Sequence, residues 1–222
     1  MDITQLEEKR ITLQDCCDQQ RTQSERNRLG QFAPPFLLAR EIVETSLAHL
    51  PTDEPVRFLD PAFGTGAFYS ALLHCCPPKR IESAVGVEVD PHYGSPALDL
   101  WAPTNLRLHI ADFTRANGES SRVNLLICNP PYVRHHHLSA SEKAKLGKAS
   151  HEAGIKLSGL AGLYCYFMVL SHRWLLPNAV SAWLIPSEFM DVNYGEAIKQ
   201  YLLTNVTLLR IHRFDPNEVQ FA

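Results

Sequence analysis

Three short apolar runs that each end in an acid constrain the fold of this chain more than any other feature. They are Val56-Arg57-Phe58-Leu59-Asp60, Ala84-Val85-Gly86-Val87-Glu88-Val89-Asp90, and Leu106 to Ile110 leading into Ala111-Asp112-Phe113. Runs of this length, rich in β-branched residues, read as buried strands. The first is followed by Pro61-Ala62-Phe63-Gly64-Thr65-Gly66-Ala67-Phe68, and then by a helical stretch from Ala67 to Cys76 that stops at Pro77-Pro78. Strand, glycine-rich turn, helix is a unit of doubly wound α/β sheets, with glycines where the backbone must approach a ligand. No Lys-Ser or Lys-Thr follows the glycines, so a P-loop is excluded, and Tyr69 stands where the dinucleotide fingerprint needs a third glycine. Glu88 lies at about the interval where a carboxylate grips ribose hydroxyls. A lone strand-end acid is ordinary surface. Asp60, Glu88 and Asp112 delivered to one sheet edge mark a site.

A fourth run, Val123 to Cys128, ends at Asn129-Pro130-Pro131-Tyr132. Ligands of open α/β sheets sit beyond such strand tips. Two prolines fix φ twice and push Asn129 out of the α region, so the turn is stiff. A stiff turn bearing an amide oxygen and a free carbonyl can accept two hydrogen bonds from a planar amino group. Such an amine, in adenine or a glutamine amide, is a poor nucleophile because its lone pair is delocalised. Asn129 and Pro130 can orient that lone pair, with Tyr132 on the substrate's face. The plain alternative is a proline-ended strand with an aromatic plug.

With these motifs the chain resembles the class I S-adenosylmethionine methyltransferases that methylate amino groups, most closely the gamma-type N6-adenine DNA methyltransferases of restriction–modification systems. The resemblance runs from about Leu29 to the end and is sharpest over Asp60–Phe68 and Asn129–Tyr132. It implies a Rossmann-like, mostly parallel doubly wound sheet and S-adenosyl-L-methionine as cofactor. Asp60 and the Ala62, Phe63, Gly64 and Gly66 backbone are expected to hold its methionine end, and Glu88 its ribose. Val89 is expected to pack on its adenine, Asp112 to accept from that adenine's amine, and Phe113 to lie beside it. Asn129, Pro130, Pro131 and Tyr132 form the expected catalytic turn. Leu29-Gly30-Gln31-Phe32-Ala33-Pro34-Pro35 resembles the segment that closes over the cofactor, with Pro34 where the family pattern has threonine.

The remaining features set limits. With 222 residues, 45% of them hydrophobic, the chain can bury one core domain. Residues 1–28 read as a polar helical lead-in without chemistry, and 29–222 as the catalytic domain. The helix after Pro34-Pro35 shows one apolar face, from Leu38 to Leu47. No run reaches membrane-spanning length and no secretion signal is visible, which points to the cytoplasm. Six cysteines without Cys-x-x-Cys spacing read as reduced thiols.

The net charge of −3 argues mildly against nucleic acid. Between Arg134 and Lys156, however, five Lys/Arg face only Glu142 and Glu152. Arg134, Lys143, Lys145 and Lys148 are thus candidate phosphate contacts to DNA, a solvated loop being the alternative, and Ser139-x-x-Glu142 predicts a capped helix. His135-His136-His137 has no ligand partners at metal spacing, so no metal is expected. Further elements are expected as a helix within Leu157–Leu176 ending at Pro177, a strand over Ala179–Pro186, a helix over Tyr194–Leu203 and a sixth strand over Val206–Phe214. The family's last, seventh strand and its recognition domain have no counterpart before Ala222, so a catalytic domain incomplete at its C-terminal edge is expected. The resemblance leaves room for a restriction endonuclease or recognition subunit as partner. Two rivals stand beside it: a protein-glutamine methyltransferase, and an inactive truncated cofactor-binding remnant.

Overall fold

A computed structural model of the chain describes residues 2–116, 122–192 and 195–214. Its centre is a five-stranded sheet of β1 (Val56–Asp60), β2 (Ile81–Glu88), β3 (Leu106–Ile110), β4 (Val123–Cys128) and β5 (Leu175–Trp183). The order is β3-β2-β1-β4-β5, and every pairing is parallel. The chain works outward from β1 to β3, then returns to place β4 on the other side of β1. Between β1 and β4 the order reverses, and doubly wound sheets open their ligand crevice at such a point.

Side-chain alternation explains why both faces are covered. Phe58, Ala84, Leu125 and Ile127 join Val43 of α3 (Phe36–Leu47) and Leu72 of α4 (Ala67–Cys75) in one cluster. Leu59, Val87, Leu126 and Cys128 join Phe113, Phe167 and Trp174 in another. A strand buried on both faces loses polar alternation, and β4 is buried throughout. Its one polar residue, Asn124, has its hydrogen bonds satisfied. Its Oδ1 accepts from the Arg57 N–H at 2.8 Å, and its Nδ2 donates to Glu54 Oε1 at 2.9 Å and the Pro55 carbonyl at 2.8 Å.

Helix starts follow their capping chemistry. Capping boxes open α2 (Gln23–Leu29) at Thr22–Glu25 and α6 (Ala140–Glu152) at Ser139–Glu142, the second as predicted. Asp90 caps α5 (Pro91–Trp101), which carries proline in its first turn. The lead-in contains α1 (Ile3–Gln19), which packs on α4 and α5. A third cluster binds α6 to α7 (Leu163–Ser171) and α8 (Glu196–Thr204).

Two expectations fail at the C-terminal side of the sheet. Pro177 does not end a helix: α7 stops at Ser171, a 3₁₀ turn covers His172–Trp174, and Pro177 lies inside β5. The β4–β5 register jumps from Val123↔Leu175 to Leu125↔Val180, so the extra residues form a bulge that tolerates a missing N–H. Asn178 within it has φ 63°. The sixth strand, Val206–Phe214, also does not form, and Leu208, Leu209 and Ile211 lie exposed. A strand needs a ladder partner, and among the described residues none pairs with it. Among the described residues every strand pairing is parallel, in keeping with the doubly wound sheet expected. All six cysteines are free, and among the described residues no helix is long and apolar enough to cross a membrane.

Candidate functional site

A pocket of about 950 Å³ opens at the β1–β4 reversal. It takes wall residues from the tips of β1 to β4, from the segment between Arg28 and Pro34, and from α6 and the turn before it. That is near the upper end of small-molecule sites, about 300–1,000 Å³, and leaves room for more than one ligand.

At the β1 tip, Asp60 is 1% exposed and accepts from the Ala62 N–H at 3.1 Å. Burial pushes its carboxyl up to about 8, the Ala62 N–H opposing and the nearby Glu88 charge reinforcing. The turn that follows needs its glycines. Gly66 has φ 94°, and a Cβ there would lie 2.6 Å from the Phe63 ring and 2.7 Å from Trp101 Nε1. Glu88, at the β2 tip, accepts from the Gly64 N–H at 2.7 Å and from the Asp90 N–H at 2.8 Å. Burial raises its carboxyl against these donors. One carboxylate thus ties two strand-end loops together. Val89 stands beside it, 64% exposed on the pocket's lip.

At the β3 tip, Asp112 Oδ1 accepts from the Thr114 N–H at 3.0 Å and the Thr114 hydroxyl at 2.6 Å, while Oδ2 lies 3.0 Å from Arg115 Nε. Phe113 is buried against the rings of Phe167 and Trp174, at 5.4 and 5.5 Å between centroids. Of the nine residues expected around the cofactor, eight line this one pocket, and Gly66 lies outside its wall.

The β4 tip divides. Asn129 and Pro131 reach the pocket wall; Pro130 and Tyr132 do not. Asn129 Nδ2 donates to the Phe32 carbonyl at 2.5 Å, whereas Asn129 Oδ1 is buried without a hydrogen-bond partner. Flipping the amide would set two oxygens against each other, so the carbonyl of Phe32 dictates which way the amide faces. The result is an oriented, unused acceptor. A buried acceptor left unpaired costs about 1–3 kcal/mol. Tyr132 turns away, its ring stacked on Phe32 at 6.2 Å and its hydroxyl donating to the Leu184 carbonyl at 3.0 Å.

Sequence reasoning found no chemistry in the first helices, yet α1 reaches the site. Thr65, in the middle of the glycine turn, donates its hydroxyl to Gln14 Oε1 at 2.7 Å and accepts from Arg10 Nη1 at 3.3 Å. Its carbonyl accepts from Trp101 Nε1 at 2.9 Å. Arg10 is itself paired with Glu7 at 2.7 Å, both buried. Gln14 and Arg28 line the pocket. A buried charge pair in a polar helix leaves no trace in hydrophobic periodicity.

Of the candidate phosphate contacts, Lys145 lines the pocket, while Arg134, Lys143 and Lys148 lie outside it, Lys148 at 3.8 Å from Glu152. His135–His137 form a 3₁₀ turn, with His137 on the pocket wall. Among the described residues no cluster of three or more His, Cys, Asp or Glu could hold a metal.

Known proteins match this architecture. Residues 99–220 match the family model of the Eco57I restriction-modification methylase. The type II methyltransferase M.XamI of Xanthomonas campestris pv. amaranthicola is 31% identical over 202 residues, which are 87% of this chain and 37% of that protein. M.AccI of Acinetobacter calcoaceticus is 30% identical over 197 residues, 88% of this chain and 35% of its own length. The chain therefore spans just over a third of these relatives. Among solved structures, a putative class I S-adenosylmethionine-dependent methyltransferase from Listeria monocytogenes superposes with a TM-score of 0.69 at 19% identity, over 91% of this chain and 61% of that one. The type IIG restriction endonuclease BpuSI does so with 0.64 at 18% identity, over 78% and 22%. These likenesses show the class I methyltransferase fold. Sequence identity, the matched family model and the strand-tip site together show that the chain belongs to the Eco57I family of restriction-modification methylases.

Proposed function

We propose that this chain binds S-adenosyl-L-methionine and transfers its methyl group to the exocyclic N6 amine of adenine in DNA. The observation that carries the reading is the buried, oriented and unpartnered Oδ1 of Asn129 on the pocket wall. The rest of the pocket fits the cofactor: Asp60 and Glu88 supply carboxyls for an ammonium and for ribose hydroxyls, beside a glycine turn open to close approach. Val89, Asp112 and Phe113 would hold the adenine end. When bound, the cofactor supplies an electrophilic methyl on a sulfonium sulfur.

Asn129 Oδ1 accepts an N–H of the target amine and so turns the nitrogen's lone pair out of the ring's π system. With the methyl donor held by Asp60, the glycine turn and Glu88, the amine so directed by Asn129 would take the methyl group, and its surplus proton would leave to water. Positioning and fixed dipoles account for the rate. Phe32 offers the flat wall for the base, and Tyr132 braces it from behind. The base must leave the duplex to reach this depth. Lys145 at the pocket, with Arg134, Lys143 and Lys148 outside it, would carry phosphates. This reading places the protein in the cytoplasm, with a restriction endonuclease or a recognition subunit as its partner class.

The test is calorimetric titration with S-adenosylmethionine, followed by methyl transfer to adenine-containing DNA at high DNA concentration, mapped by mass spectrometry. Asn129→Ala is expected to keep cofactor affinity and lose transfer by about a hundredfold or more, as for removal of one preorganised polar group. A parent chain that binds no cofactor sinks the reading. So does a folded Asn129→Ala variant that loses cofactor binding.

A further inference from the structure

Asn129 owes its orientation to the Phe32 carbonyl, so whatever fixes Phe32 also sets the unpaired oxygen. Phe32 belongs to a strap, residues 30–32, that crosses from the β4 tip to the β2 tip. At the β4 end the strap is held by its backbone: Tyr132 N–H donates to the Gly30 carbonyl at 3.4 Å, and Gly30 has φ 66°. A Cβ on Gly30 would collide with the Tyr132 backbone nitrogen, so the contact is as close as a chain can make.

At the β2 end the strap is held by side chains. Gln31 Nε2 donates to Asp90 Oδ2 at 2.7 Å, Arg21 Nη1 lies 2.6 Å from the same oxygen, and Arg21 Nη1 also donates to Gln31 Oε1 at 2.5 Å. The three side chains close a triangle. Asp90 is fixed in turn, because its Oδ1 accepts from the His92 N–H at 3.0 Å and its own N–H donates to Glu88 Oε1 at 2.8 Å. The Arg21 guanidinium lies 5.4 Å from the Tyr93 ring centroid, and the Tyr93 hydroxyl donates to Asp18 Oδ1 at 2.8 Å. Burial would raise the Asp90 carboxyl, but its hydrogen bonds from Arg21 and Gln31 hold it below its ordinary value, as a latch requires.

The geometry points to Gln31 and Arg21 as positioning residues: by latching the strap to Asp90 they place the Phe32 carbonyl that aims Asn129 at the target amine. The inference rests on the proposed function for what Asn129 serves, and on distances alone for how it is aimed. It makes one connected path from Glu88, at the cofactor side, through Asp90, Gln31 and Phe32 to Asn129. Neither Gln31 nor Arg21 needs to touch the reacting nitrogen for the path to act on it.

The test is the side-chain amide signal of Asn129 in a two-dimensional ¹⁵N spectrum of the chain, assigned by its disappearance in Asn129→Asp. Gln31→Met removes the latch while keeping side-chain length, and Arg21→Met removes it from a different element should the first variant not fold. The expected result is that the Asn129 amide pair shifts by more than its linewidth or broadens. The Asn124 amide, which has its own partners in the sheet, should stay in place. An Asn129 signal that does not move, or that moves together with that of Asn124, overturns the inference. Titration of the parent chain with S-adenosylmethionine runs alongside. Failure of that binding removes the functional reading, while the Asn129 signal still decides the latch.

Discussion

Asp60 is sealed under the turn it anchors, and its protonation should be visible in the stability of the whole chain. Its carboxyl is pushed up from 3.8 to about 8, chiefly by burial. A group whose folded value exceeds its unfolded value binds more protons in the folded state, so its contribution falls as pH rises through that interval. Glu88, raised in the same direction, adds to the trend. Asp90, Glu25 and Glu142 are lowered, so their contributions are lost instead as pH falls. Denaturation midpoints of the parent should therefore decline from pH 3.8 toward about 8, and Asp60→Asn should flatten the decline. A parent curve rising over that range would contradict it. Glu88 carries a different load, because it holds two backbone N–H groups as well as the expected ribose. Glu88→Ala should weaken cofactor binding by about 1.5–3 kcal/mol, the worth of hydrogen bonds to a charged group, and calorimetry reads that directly.

Helix α1 supplies at the level of the element what the glycine turn cannot supply for itself. Glycines let the backbone come close, but the same freedom leaves the turn loose. Thr65 counters this by binding Gln14, Arg10 and Trp101 at once. Thr65→Val keeps the shape and removes the hydroxyl that buried Arg10 and half-buried Gln14 share, at a cost of about 1–3 kcal/mol. Cofactor affinity and melting temperature should both drop for Thr65→Val and return for Thr65→Ser. Equal affinity for all three chains would show that α1 is only packing. The bulge in β5 is the opposite case, since there an irregular element accommodates proline and a left-handed asparagine without any contact to the pocket.

For the whole molecule, charge and coverage decide the expected behaviour with DNA. A net charge of −3 leaves the local excess around α6 to do the attracting. Phosphate contacts carry no sequence information, and the chain spans just over a third of its curated relatives. The chain should bind duplexes of different sequence about equally. Its log affinity should fall with log salt by roughly 0.9 per phosphate neutralised. Lys145→Ala should reduce that slope by about one contact. Fluorescence anisotropy across a salt series checks both points, and tight binding confined to one short sequence would contradict the first.

Much of this was legible without coordinates. The three acid-ended strands, the glycine turn and the Asn129–Tyr132 motif appear where local pattern placed them, because apolar runs and turn residues act over a few neighbours. The α/β class followed from their alternation. Contacts distant in sequence were not legible: Thr65 on Arg10 and Gln14, Asp90 on Arg21 and Gln31, Asn129 on Phe32. The sixth strand was misread for a related reason. Val206–Phe214 has strand composition, but strand formation is a property of pairs, and the partner is not encoded in the segment itself. Pro177 was read as a stop by local rules that a β-bulge overrides. Sequence alone determined which residues stand at the strand tips. Tertiary structure decided which atoms there remain free to act, because an unpaired acceptor such as Asn129 Oδ1 is defined only by every neighbour that fails to reach it.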